Sequence, residues 1–181
     1  CIGEINYLAD VEMIELAYTS LNLVGIKDIT IEISSRIFFN KFIGMIGKQS
    51  KINEIKRLIK LKDLAGLLKK IDKKYHFFIQ DLFSCTGVYK KTKKNLDKLG
   101  IDNSTISEIS NIKNIVDKFL SRNKNINIFL DLCEIDDKNY HSGVRFTFFA
   151  NNIRGEIARG GRYILENFNS KDFATGFTCY M

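Results

Sequence analysis

The chain has 181 residues, 45% of them hydrophobic, enough to build the core of one domain. No apolar run reaches the roughly 18 residues of a membrane span, so a soluble, cytoplasmic protein with no membrane partner is expected. The net charge of +7 is uneven: residues 41–100 hold 16 Lys or Arg against 5 Asp or Glu, and the rest of the chain is acidic on balance.

The chain opens Cys1-Ile2-Gly3-Glu4, without a charged start or apolar core, so no signal peptide is read. Without an initiator Met it reads as a fragment or a processed product. Residues 10–23 then follow helical spacing, with Val11, Ile14, Ala17, Tyr18 and Leu21 on one face. Asp10 is the expected N-cap, and Gly25 sits where the helix should stop. Ile29, Ile31 and Ile33 alternate with Asp28, Thr30 and Glu32, the pattern of a half-buried strand.

From about Arg36 to Arg122 the periodicity is helical. Ile55, Leu58, Ile59, Leu64, Leu67, Leu68 and Ile71 suit one or two amphipathic helices. Residues 102–108 read as a turn and a helix start, and Ile112, Ile115, Val116 and Phe119 form the apolar face that follows. This segment carries the excess of lysine. It fits a solvated helical face, or a surface for nucleic acid or an acidic partner, but aromatics are not interleaved as on a base-stacking platform.

Strand patterns then return. Ile126, Ile128, Leu130 and Leu132 alternate, as do Val144, Phe146 and Phe148, with a polar turn at Glu134–Asn139 between them. Val144–Ala150 and Glu156–Arg159 are expected to pair as a hairpin, and a last strand is expected at Ala174–Met181. The order implies an α+β domain over 1–181: a sheet made by both ends, helices packed on it, and a helical insertion at about 36–122. One face of such a sheet can meet a ligand while helices cover the other.

The chemistry concentrates in Glu156-Ile-Ala-Arg-Gly-Gly-Arg-Tyr163 and Tyr140-His-Ser-Gly143. Two adjacent glycines allow close approach of backbone, and the flanking arginines offer fixed donors to a carboxylate or phosphate, as in an anion-holding turn. Glu4, Glu134, Asp136 and Asp137 are the nearest acids; Tyr140, His141, Arg159, Arg162 and Tyr163 are the other polar groups. A small zwitterion needs an acid for its ammonium and donors for its carboxylate, which this set supplies. His141 by itself reads as a structural histidine. No Ser/His/Asp order, P-loop or HExxH is present, and Cys1, Cys85, Cys133 and Cys179 lack zinc spacing and read as reduced thiols. No catalytic residue, metal or cofactor is assigned.

Five segments in order resemble the histidyl-tRNA synthetase superfamily: Ala9-Asp-Val-Glu-Met-Ile14, Asp131-Leu-Cys-Glu-Ile135, Tyr140-His-Ser-Gly-Val144, Glu156–Tyr163 and Ala174-Thr-Gly-Phe177. The resemblance covers residues 1–35 and 126–181. It is closest to the non-aminoacylating branch, the regulatory subunits of ATP phosphoribosyltransferase, which often read Tyr-His-Thr-Gly where synthetases read Tyr-Tyr-Thr-Gly. It implies a class II aminoacyl-tRNA synthetase-like antiparallel sheet flanked by helices. It implies a histidine pocket lined by Tyr140, His141 and Tyr163, with Gly160 and Gly161 in its wall and Glu4 at the ligand's amino group. Arg162 is expected to anchor structure. The implied partners are histidine and the catalytic phosphoribosyltransferase subunit, bound by a homodimer within a hetero-oligomer that is feedback-controlled by histidine.

Departures from the synthetase pattern matter. The catalytic arginine seven residues before Gly143 is Asp136 here, an acid that repels an adenylate. The Asp expected after Gly-Gly-Arg-Tyr is Ile164. Of the ATP-binding arginine motifs, the first two would lie before Cys1 and the third would run past Met181. A histidine–tRNA ligase fragment, with tRNA on the basic segment, is the alternative. A degenerate paralogue with another ligand is the third reading.

Overall fold

The computed structural model describes residues 1–47, 52–134, 141–167 and 170–180. Helix α1 (Tyr7–Leu23) starts earlier than its apolar spacing indicates, because Asn6 is the N-cap and its side chain accepts from the Leu8 amide. Asp10 is therefore not the expected cap. It is buried within the helix, on the stripe that carries Ile14, Ala17 and Leu21. Gly25 follows at φ 88°, the left-handed conformation that ends a helix without a Cβ clash.

Strand β1 (Ile29–Ser35) alternates as expected. The long helical segment resolves into α2 (Arg36–Ile46), α3 (Ile52–Lys60), α4 (Leu64–Leu68), α5 (His76–Ser84), α6 (Tyr89–Thr92) and α7 (Asn103–Arg122). A two-residue strand, β2 (Gly87–Val88), interrupts it; two residues are too few for a period to show. A reciprocal cap opens α7: the Asp102 carboxylate accepts from the Thr105 amide, and the Thr105 hydroxyl accepts from the Asp102 amide.

The remaining strands are β3 (Asn127–Leu130), β4 (His141–Ala150), β5 (Ala158–Asn167) and β6 (Ser170–Cys179). The expected hairpin forms between β4 and β5, but β5 runs on for ten residues and pairs along its length with β6. The tetrad Arg159-Gly160-Gly161-Arg162 is thus strand, not turn. The last strand starts four residues before the expected Ala174, and Met181 lies outside the described residues. So does the expected polar turn beyond Glu134.

Among the described residues the sheet has the order β2-β3-β1-β4-β5-β6, and Ile2 bridges Ala174 on the outer side of β6. The pairs are antiparallel except β1 with β3, which run parallel. Parallel neighbours need a long crossover, and the helices α2–α7 supply it, so the sheet is mixed where a purely antiparallel one was expected.

The pairing register sorts the side chains into two faces. Ile31, Phe148 and Ala158 face one way, with Ile33, Phe146 and Gly160 beside them. Ile31, Phe146, Phe148 and Ala158 are fully buried in one cluster with Ile14 and Ala17 of α1 and Ile112, Ile115 and Phe119 of α7. Burial of this apolar surface is the main stabilising term. The opposite face carries Glu32, Ser34, Arg145, Thr147, Arg159, Gly161 and Tyr163. No helix among the described residues is long and apolar enough to cross a membrane.

Candidate functional site

Period-two alternation divides the tetrad of β5 between the faces. Arg159 and Gly161 point with Thr147 and Arg145 to the polar face; Gly160 and Arg162 point to the helices. The two glycines therefore answer different demands. A Cβ on Gly160 would lie 2.4 Å from the Gly176 carbonyl oxygen and 2.4 Å from the Phe146 ring, so this glycine lets the core close. A Cβ on Gly161 would lie 2.8 Å from the Val144 carbonyl oxygen and 3.0 Å from Nδ1 of His141, on the polar face.

Gly161 pairs directly with Gly176 of β6, so two adjacent strands lack side chains at the same point of that face. His141 pairs with Tyr163 at the rim of this notch, where the register between β4 and β5 shifts. The Tyr163 hydroxyl lies 3.8 Å from where a Gly176 Cβ would stand. An imidazole, a phenol and strand backbone without side chains thus meet on one face, with Gly161 itself buried under β4 and the His141 ring. Tyr140 and Asp136 lie outside the described residues.

Glu4 comes alongside from the other edge. Ile2 bridges Ala174, which pairs with Tyr163, and the Gly3 amide donates to the Phe173 carbonyl at 2.8 Å. The Glu4 carboxylate is exposed and accepts from the Asn6 amide at 2.7 Å. This segment is held by Arg162. Its guanidinium donates to Asp10 through Nε at 3.1 and 3.2 Å and Nη2 at 2.7 Å. It also donates to the carbonyls of Glu4 at 2.9 Å and Asn6 at 3.0 Å. Every part of the fork is engaged, so Arg162 is structural, as expected of it. Burial pushes the Asp10 carboxyl above its ordinary range, opposed by Arg162, which favours the charged form.

Beyond the notch, toward β1 and β3, the polar face carries a band of charges that joins Glu134 and Arg159, both expected near the site, to Arg145, Asp131 and Lys62. Arg145 is buried and paired with Glu134. Arg159 pairs with Glu156 at 2.5 Å. Lys62, at the end of α3, donates to both oxygens of Asp131 at 2.5 and 2.6 Å. Burial and the neighbouring Arg159 lower the Arg145 pKa to about 10. Burial, then the nearby Asp131, raise that of Glu32. The sequence signal for this band was present in the polar phase of the strands, at Glu32, Arg145, Thr147 and Arg159. Lys62 and Asp131 are 69 residues apart, so their pairing gave no local signal.

The profile of the family described as Histidyl-tRNA synthetase matches residues 1–181. An ATP phosphoribosyltransferase regulatory subunit of Ruminiclostridium cellulolyticum is 27% identical over 188 residues, covering 98% of this chain and 44% of that protein. A solved Bacillus halodurans chain, described as ATP phosphoribosyltransferase regulatory subunit/histidyl-tRNA synthetase, superposes with a TM-score of 0.80 at 20% identity, over 97% of this chain and 48% of its own. A chain of the Thermotoga maritima ATP phosphoribosyl transferase (HisG:HisZ) complex superposes with a TM-score of 0.75 at 16% identity, over 99% and 64%. These likenesses show the class II synthetase-like fold. The chain spans about half the length of the curated relatives it matches.

Proposed function

The chain belongs to the histidyl-tRNA synthetase family, and from that premise we propose that it is part of a non-catalytic regulatory subunit of ATP phosphoribosyltransferase. In this reading it binds the catalytic subunit in a hetero-oligomer and carries the histidine that feeds back on the first step of histidine biosynthesis. The observation that carries the ligand reading is the Gly161–Gly176 notch, rimmed by His141 and Tyr163 on the polar face. An imidazole and a phenol beside side-chain-free backbone suit a small imidazole-bearing zwitterion, whose ring nitrogens need a donor and an acceptor. Tyr140 and Glu4 complete the proposed pocket, Glu4 at the ligand's ammonium.

Two features support sensing over activation. The position of the synthetase's catalytic arginine is Asp136 in this sequence. The arginines of the polar face are engaged by acids of the same chain, Arg145 by Glu134 and Arg159 by Glu156, so neither is a free cation for an adenylate phosphate. Regulation then follows from linkage: histidine binds one state of the assembly better and shifts its population.

The test mixes the full-length protein with the catalytic subunit and measures phosphoribosyl-ATP formation with and without histidine. An unchanged rate and unchanged histidine sensitivity would sink the reading. A histidine–tRNA ligase is the second reading, favoured by the excess of lysine in residues 41–100. Histidine-dependent pyrophosphate exchange by the full-length protein would reverse the ranking.

A further inference from the structure

We infer that Lys62 is a positioning residue for the ligand pocket, acting through Asp131; this rests on reading the notch as a histidine site. The starting point is a residue in the wrong conformation for its type. Helix α3 ends with the Asp63 amide donating to the Leu58 carbonyl at 2.9 Å and the Lys62 amide to the Ile59 carbonyl at 3.0 Å. This is the helix ending that normally carries glycine at the position of Lys62. Lys62 sits there at φ 55°, a left-handed backbone that Asn and Asp tolerate and lysine disfavours. The other described non-glycine residues with positive φ are Asp28 and Asn152, both of the tolerant kind.

The side chain accounts for the lysine. Its ammonium bonds both oxygens of Asp131, whose side chain is only 13% exposed. Asp131 organises the segment that leaves β3. Its amide donates to the Ile33 carbonyl at 3.0 Å, and its Oδ1 accepts from the Cys133 amide at 3.0 Å. Glu134 follows in the same segment and holds Arg145, the β4 residue that pairs with Gly161. Lys62 also balances charge: Glu32, Asp131, Glu134 and Glu156 share this region with Arg145 and Arg159, and loss of the ammonium leaves four acids against two cations. A lysine on the helical insertion therefore sets the geometry of the pocket wall.

Lys62→Gly separates this role from a merely structural one, because glycine relieves the backbone strain while removing the ammonium. In the full-length protein, Lys62→Gly is expected to keep or raise the Tm yet weaken histidine binding, read by calorimetry, about tenfold. Lys62→Arg should stay within about threefold of wild type, and Asp131→Asn should resemble Lys62→Gly. Hydrogen exchange at the Cys133 and Glu134 amides should quicken in Lys62→Gly and not in Lys62→Arg, with or without histidine. Wild-type affinity together with wild-type exchange in Lys62→Gly overturns the inference. If the wild-type protein binds no histidine, the functional reading fails alone, and the exchange data still decide the role of Lys62.

Discussion

Arg162→Met should be among the most damaging substitutions in this chain, and its cost should depend on pH. The side chains of Arg162 and Asp10 are 12% and 4% exposed, and the change strands a buried carboxylate. Breaking such a pair from one side costs about 3–5 kcal/mol. Protonation sets a ceiling. Taking Asp10 from its ordinary pKa of 3.8 to the neutral acid at pH 7 costs about 4 kcal/mol, at about 1.4 kcal/mol per unit. The bonds to the Glu4 and Asn6 carbonyls contribute about 1 kcal/mol more. A loss of about 4 kcal/mol lowers the Tm by about 10 °C in a domain of this size. The sign with pH follows from linkage. Removing Arg162 raises the folded pKa of Asp10 further, so the variant regains stability as pH falls and loses it as pH rises through that value. Urea unfolding of wild type and variant at pH 7 and pH 5.5 should show the gap narrow by about 1–2 kcal/mol. The double variant Asp10→Leu/Arg162→Met should recover most of the loss. A gap under about 1 kcal/mol at pH 7, or one independent of pH, refutes the clamp.

Gly160→Ala puts a methyl 2.4 Å from a carbonyl oxygen and from the Phe146 ring, so urea unfolding should show a loss of about 2 kcal/mol or more. Gly161→Ala puts a methyl 2.8 Å from the Val144 carbonyl oxygen and 3.0 Å from Nδ1 of His141, so it should lose stability in urea as well and, in addition, weaken histidine binding read by calorimetry. Glu108 is buried, bonded by the Ser35 hydroxyl, and burial raises its carboxyl pKa. Its contribution is full below the unfolded value near 4.5 and is lost as pH rises through the higher folded value, so Glu108→Gln should gain on wild type across that window in urea midpoints taken from pH 4 to 8.

What the sequence made legible follows the range of the forces involved. Alternation at Ile29, Ile31 and Ile33 and at Val144, Phe146 and Phe148 marked β1 and β4, because burial of one face imposes a period over a few residues. The insertion was legible as helical, but not as the crossover that makes β1 and β3 parallel, since pairing direction is written between strands and not within them. Asp10 was misread as a cap because an acid before an apolar stripe is the usual cap signal; its partner Arg162 lies 152 residues away. The pairing of Lys62 with Asp131, 69 residues apart, was hidden for the same reason.

The tetrad Arg159-Gly160-Gly161-Arg162 shows how much one structural fact reorganises a motif. Read as a turn, it offers two glycines for close approach and two arginines for one anion. Read as a strand, alternate residues part company, and no two neighbours serve the same purpose. Gly160 admits the Phe146 ring and Arg162 ties down the N-terminal segment, both on the helix side. Gly161 lets the β4 backbone and the His141 ring come close and Arg159 joins the paired charges, both on the polar side. The anion that such arginines would attract is supplied from within, by Asp10 for one and Glu156 for the other. In the proposed histidine site beside His141 and Tyr163, recognition would therefore rest on shape and hydrogen bonds more than on a cation.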